Sequence, residues 1–348
     1  MEVWKTFGQR PEGERLAKIS QYPQYRNQGF INLSETKMMA EGTSYASLIW
    51  KMMTRPKNVA PAKELPFVPT DLNKLYRLSL NNPVIIWFGH SSYLICTQEK
   101  HILVDPVFCG HASPFSFTTK SFAGSDRFTV NQLPNIDILV LTHDHYDHLD
   151  YLTLEGLKAK TSQVYAALGV GAHLIYWGWD PDKIVELGWG ENCLPAEGIS
   201  LTAAPARHFS GRGLIRNKSH WNSYILQSAN HRLYLGGDSG YDSHFSDLGK
   251  RYGPFDIAIL EAGQYNQSWP FIHMMPEETL QAAKDLQANM LLPVHWGKFA
   301  LALHPWYDPI SRISEKAAAM QMPYTSPRIG EPVILNEAYP CDAWWKDC

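Results

Sequence analysis

The chain has 348 residues, enough for one large domain or two small ones, and its 45% hydrophobic content is ordinary for a folded globular protein. A formal net charge of -3 argues against a general nucleic-acid binder, which needs a basic face to track phosphates. The cysteines (Cys96, Cys109, Cys193, Cys341 and Cys348) are odd in number and lack a C-x-x-C spacing, which argues against a disulfide framework and a cysteine-ligated zinc. No apolar h-region follows Met1, and no run approaches the ~20 apolar residues of a spanning helix. The expectation is a soluble cytoplasmic protein, at most peripheral to a membrane.

Residues 1–80 are polar, carry several prolines and show little alternation, so they are expected as an N-terminal extension. It would pack on the core or contact a partner chain or a membrane. Within it, Leu48, Ile49, Met52 and Met53 share one face of a helix expected over 45–53. Pro56, Pro61, Pro66 and Pro69 mark an extended connector. From Val84 the pattern becomes short apolar strands: 84–88, then 93–96 and 102–104 as a hairpin, the latter ending at Asp105-Pro106. The long Phe108–Val130 loop, rich in Ser, Gly, Phe and Thr, is of a length usually kept for function, so it is expected beside a substrate cleft.

The run 138–141 is a buried strand that ends on Thr142-His143-Asp144-His145-Tyr146-Asp147-His148-Leu149-Asp150. Histidines two apart on extended backbone point to one side, so His143 and His145 can face one metal ion, with Asp147 and His148 placed for a second. Imidazoles and carboxylates suit zinc and related divalent metals. Further strands are expected at 164–168, 184–187, 199–203, 221–226, 232–235, 257–260 and 290–294, and helices at 169–177 and 276–288. Three of these strands run into His208, Asp238 and His295. Hairpins alternating with helices indicate an α/β protein with more than one sheet. The chain divides as an extension (1–80), a catalytic domain (81–330) and a C-terminal tail (331–348).

The order H-x-H-x-D-H, then His208, Asp238 and His295, resembles the metallo-β-lactamase superfamily. Gly237-Asp238-Ser239-Gly240-Tyr241, His295-Trp296-Gly297, the stretches 249–256 and 273–278, Gly89-His90-Ser91-Ser92 and Asp105-Pro106 look like the branch that contains N-acyl-phosphatidylethanolamine-hydrolysing phospholipase D. The likeness spans roughly residues 80–305 and thins in 109–130, 209–220 and the first 80. It implies a four-layer αβ/βα sandwich of two mixed sheets with helices outside and the site at one edge. It further implies two Zn2+ per chain, with Fe or Mn as alternatives. One zinc would be held by His143, His145 and His208, the other by Asp147, His148 and His295, and Asp238 would bridge them. A carboxylate can span two cations ~3.5–4 Å apart, and a water shared between them would deprotonate near neutral pH to attack phosphorus or a carbonyl. Asp147 would also orient that water. His273 resembles the family residue near the leaving group and is expected to stabilise charge or donate a proton, while Asp105 is expected to accept an N–H from a ligand imidazole. His90 is expected to be structural, and His101, His173, His220, His231, His244 and His304 are given no role.

Three functions compete. The first is a dizinc phosphodiesterase of phospholipase D type on N-acyl phosphatidylethanolamine-like lipids, with peripheral membrane contact or homodimerisation through residues 1–80. The second is a metal-dependent lactonase, esterase or phosphodiesterase on a small soluble substrate such as a sugar-phosphate lactone. The third is a non-hydrolytic metal-binding protein.

Overall fold

The computed structural model of the protein describes residues 2–79 and 81–348, apart from the side chains of Glu2, Tyr45 and Ile49. The chain begins with α1 (Glu2–Thr6), α2 (Gly13–Ile19), a hairpin of β1 (Tyr25–Arg26) and β2 (Gly29–Phe30), and α3 (Tyr45–Thr54). The apolar runs then form β3 (Val84–Trp87), β4 (Tyr93–Thr97), β5 (Lys100–Val104), β6 (Ile136–Leu141), β7 (Thr161–Ala167) and β8 (Ile184–Leu187). These strands lie side by side in that order. β3 and β4 bury every residue, as continuous Val, Ile and Trp runs do when both faces of a sheet are covered. α4 (Tyr151–Leu157) and α5 (Gly171–Tyr176) lie in the two crossovers that let β6, β7 and β8 run parallel.

A second sheet follows. β9 (Asn192–Ala196), β10 (Ile199–Ala204), β11 (Ser223–Ser228) and β12 (His231–Leu235) form an antiparallel meander. α6 (His244–Tyr252) leads to β13 (Ile257–Glu261), and α7 (Pro276–Asp285) to β14 (Leu291–Val294), both added in parallel. α8 (Asp308–Lys316) packs beside α7, and β15 (Pro332–Ile334) returns to pair with β3 at the edge of the first sheet.

The two sheets share one core, in which Leu139 and Leu141 of the first meet Leu201, Leu226 and Leu235 of the second. Burying each such leucine contributes roughly 1.5–3 kcal/mol. The outer face of the second sheet, with Tyr234, Ala258 and Leu260, is covered by Phe245, Leu280 and Ile313 from α6, α7 and α8. This is the two-sheet sandwich with outer helices that the sequence leads one to expect.

Strand direction places the site. β3, β5 and β6 run one way in the first sheet, and β10, β12, β13 and β14 share a direction in the second. Residues 88–90, 105, 142–148, 205–208, 236–238, 261 and 295 therefore all stand at the carboxyl ends of strands, along one rim.

One expectation needs correction. Residues 331–348 are not a detached tail, because β15 completes the first sheet and Trp344 and Trp345 are buried in its core. Trp344 stacks on Trp296 with ring centroids 5.3 Å apart, next to His295. A strand of only three residues carries no alternation, which hid it. The unexpected strand β9 has the same origin: it is an edge strand, where Pro195 is tolerated, and it does not alternate. The N-terminal extension packs on the rest of the chain. Leu72 and Leu75 enter the main core, while Ile19 and Phe30 pack with Leu168 and Trp221. Buried Lys298 holds the long loop by donating to Val107 O (2.8 Å) and pairing with Asp126 (3.1 Å).

Candidate metal centre

The run 142–148 turns away from β6 so that its donors meet those of three other strand ends. His143 Nε2 and His145 Nδ1 lie 2.9 Å apart, and His208 Nε2 is 3.2 Å from His145 Nδ1. Asp238 Oδ2 lies 3.6 Å from His208 Nε2 and 3.8 Å from His143 Nε2. Its other oxygen, Oδ1, is 3.2 Å from His148 Nε2. Asp147 Oδ2 lies 3.6 Å from His148 Nε2 and 3.9 Å from His295 Nε2. The structure thus brings together two adjoining groups of side chains that could hold metal ions, with Asp238 facing both. His148 Nε2, His295 Nε2 and Asp238 Oδ1 are buried without a hydrogen-bond partner. Such orphans are costly unless something else binds them, so the donor set fits a pair of divalent cations.

Several of these imidazoles are tied down by a bond on one ring nitrogen. Thr142 N–H and Oγ1–H donate to Asp105 at 2.9 and 2.5 Å, and His148 Nδ1–H donates to Asp105 Oδ2 at 2.8 Å. His143 Nδ1–H donates to Thr142 Oγ1 at 3.0 Å, so one carboxylate orders a histidine from each group. His208 Nδ1–H donates to Ile272 O (2.8 Å), and Ser91 Oγ meets His295 Nδ1 (2.9 Å). These bonds fix the tautomers that leave the other ring nitrogen as a lone-pair donor. Gly237 allows the close approach of the Asp238 turn, since a Cβ there would sit 2.6 Å from Asn222 O. His90, Asp105 and His295 all have positive φ (53°, 40° and 67°), the kind of backbone strain that surrounding contacts must hold in place.

Most donors are held in the form that binds cations; His148 is the exception, since its burial is outweighed by Asp238 and Asp147, which raise it well above the usual imidazole range. Burial pushes the His143, His208 and His295 imidazoles well below their usual range, and neighbouring imidazoles add to it, so all three are neutral donors at pH 7. Burial alone would raise Asp147 and Asp238, but nearby histidines, His148 first, outweigh it and keep both ionised.

His273 lies beside this centre, within ligand distance of Asp238 and His295. Its Nδ1–H donates to Glu261 Oε2 at 3.2 Å, and Met274 N–H holds the other carboxylate oxygen at 2.8 Å. Burial raises Glu261 to about 7, against the pull of His273. Burial lowers His273, but the Glu261 charge and hydrogen bond outweigh it, so its pKa is raised.

His90 supports the centre: it donates from Nε2 to Asp147 Oδ2 at 2.8 Å and packs against His295 with the rings tilted, centroids 4.0 Å apart. Glu261 is a further residue at this rim that sequence analysis does not single out. Both follow or end an apolar strand, the same signal that marks His208 and Asp238. Asn32 brackets the His208 backbone, accepting from its N–H (3.0 Å) and donating to its C=O (2.8 Å), from a segment with no pattern to reveal it.

Asp105→Asn keeps the shape, but its amide nitrogen must face either the Thr142 N–H or the Thr142 Oγ1–H and His148 Nδ1–H, so at least one buried donor loses its acceptor. We expect divalent-metal affinity to fall about 10–100-fold, measured by chelator competition on the folded protein. Unchanged affinity would show that Asp105 orders nothing.

An α/β sandwich with clustered histidines and aspartates along one rim is the architecture of a metal-dependent enzyme. The beta-lactamase superfamily domain profile matches residues 100–296. An uncharacterised protein of Mycobacterium tuberculosis is 36% identical over 335 residues, covering 95% of this chain and 89% of that protein. N-acyl-phosphatidylethanolamine-hydrolyzing phospholipase D 1 of Caenorhabditis elegans is 31% identical over 248 residues, covering 66% of this chain and 68% of that protein. Among solved structures, the metallo hydrolase Igni18 of Ignicoccus hospitalis has a similar fold, with a TM-score of 0.56 at 19% identity over 74% of this chain and all (100%) of that one. The chain belongs to the metallo-β-lactamase superfamily and is a metal-dependent hydrolase related to the N-acyl-phosphatidylethanolamine-hydrolysing phospholipases D.

Proposed function

We propose that the protein is a dizinc phosphodiesterase that cleaves phospholipids at the headgroup side, with N-acyl phosphatidylethanolamine as the substrate type. The observation that carries the reading is Asp238, shared by two groups of metal-ligand side chains with His273 beside them. In this reading His143, His145 and His208 hold one ion, Asp147, His148 and His295 the other, and Asp238 spans both. Iron and manganese accept comparable donors, so elemental analysis is part of the test. Two bound cations would supply Lewis acidity and an acidified water. His90 and Asp147 orient the approach to phosphorus. A P–O bond forms to the water oxygen, the P–O bond to the headgroup alcohol breaks, and His273, steadied by Glu261, returns the proton to that alcohol.

Two further features support a lipid. Phe209 packs on the His145 and His208 rings and belongs to an apolar cluster with Trp269, Ile272, Met38, Met39 and Leu48, a wall suited to acyl chains. Nearby on α3, Trp50 (64% exposed) and Met53 (71%) face solvent, with Lys51 between them, as a segment resting on a lipid surface would. No described helix is long and apolar enough to cross a membrane. Zinc-loaded protein incubated with N-acyl phosphatidylethanolamine in mixed micelles should release N-acylethanolamine and phosphatidic acid together. Turnover of soluble lactones or esters without either product would replace this substrate by a small soluble one.

A further inference from the structure

The N-terminal strap, residues 2–11, runs against the back of the 142–150 loop. Gln9 N–H donates to His173 Nδ1 at 3.1 Å. That bond makes Nδ1 an acceptor, so the ring proton is on Nε2, which donates to Asp144 Oδ2 at 3.2 Å. Asp144 stands between His143 and His145. It also accepts from Ser219 Oγ–H (2.7 Å) and Gly211 N–H (2.6 Å), so both of its oxygens are engaged. The strap is fastened at neighbouring points. Trp177 Nε1–H donates to Lys5 O at 2.7 Å, and Arg212 grips Thr6 O through Nε (2.9 Å) and Nη2 (2.6 Å). Phe7 meets the ring of Tyr146, inside the metal loop, edge-on at 6.5 Å. The seat is tight at Gly8, whose φ is 67° and where a Cβ would lie 2.0 Å from His173 Nδ1.

We infer that His173 is a positioning residue for the metal centre, and that the strap holds its ring in register with Asp144. The path runs from the Gln9 amide through the His173 ring to Asp144, and Asp144 fixes the backbone that presents His143 and His145. Without the strap amide, Nδ1 loses its only donor, and the ring is free to turn its Nε2–H away from Asp144. Asp144 would lose a donor, and the loop would relax toward the gap. The role is distinct from simple packing because it acts on metal affinity through one hydrogen-bond direction. It rests on the metal-centre reading above.

The test is zinc affinity of the full-length protein, by competition with a chelator of known strength, beside the melting temperature of the zinc-free form. Gly8→Ala and His173→Leu are expected to weaken zinc binding about 10–100-fold. His173→Gln can accept from Gln9 and donate to Asp144 with its own amide, and is expected to stay within a few-fold of the parent. If His173→Leu does not fold, Gly8→Ala alone decides. Lowered melting temperatures with parental zinc affinity in Gly8→Ala would overturn the proposal and leave the strap a brace. Loss in His173→Gln equal to that in His173→Leu would also overturn it. A parent chain that takes up no zinc, iron or manganese would instead remove the metal-centre reading, and this proposal with it.

Discussion

Asp238→Ala is expected to lower hydrolytic turnover by about 10³-fold, because in the proposed two-metal centre a shared carboxylate would supply several kcal/mol, roughly 4, of transition-state stabilisation. The side chain is almost fully buried, with its two oxygens turned to different histidine groups, 3.2 Å from His148 Nε2 and 3.6 Å from His208 Nε2. Alanine removes the only carboxylate that faces both among the described residues. Repulsion between two cations then has no shared anion to offset it, so the variant should retain one ion or fewer on elemental analysis. Asp238→Asn tests the charge apart from the shape and should fall between the two. Chelation of the parent should mimic the alanine variant, and added zinc should restore the parent alone. Parental turnover by Asp238→Ala would sink the assignment.

Much of this centre is legible before any fold is known, for a local reason. A metal ligand set in a sheet-based enzyme sits at strand ends, and each strand end here is announced by an apolar run: 138–141 before His143, 199–204 before His208, 232–235 before Asp238, 291–294 before His295. His90 and Glu261 obey the same rule at the ends of β3 and β13, and Glu261, which carries no motif of its own, is found only by applying it. The supports that stayed hidden come from far away in sequence. Asn32 reaches His208 across 176 positions, and Gln9 reaches His173 across 164. Neither lies in a periodic segment, and contacts between irregular stretches leave no periodicity to read. The C-terminal strand escaped because pairing with β3 depends on the partner edge, not on Pro332-Val333-Ile334 itself.

The same logic of distant support governs the second large effect, on stability. Arg212 is 6% exposed and makes no ion pair with a carboxylate among the described residues. Burial therefore lowers its pKa, and the charge is carried by carbonyls and rings. Nη1 donates to Asp144 O (2.9 Å) and Leu149 O (2.6 Å), while Nε and Nη2 share Thr6 O. The guanidinium lies 4.0 Å from the Tyr146 ring centroid and 5.3 Å from that of Trp177. One side chain thus joins the strap, both ends of the metal loop and α5's last turn. Arg212→Met fills similar volume but leaves three carbonyls with fewer donors and removes two cation–ring contacts. The cost is expected to be about 3–5 kcal/mol, read as a fall in melting temperature of roughly 5–15 °C in the zinc-free protein. Lysine has one ammonium in place of a planar fork and cannot span Thr6, Asp144 and Leu149 together, so Arg212→Lys should recover only part of the loss. If Arg212→Met melts within about 2 °C of the parent, the carbonyls find other donors and the clamp is not what holds the loop. A loss of stability in Arg212→Met together with near-parental zinc affinity would separate this clamp from the His173 path, since the two act on the same loop through different bonds.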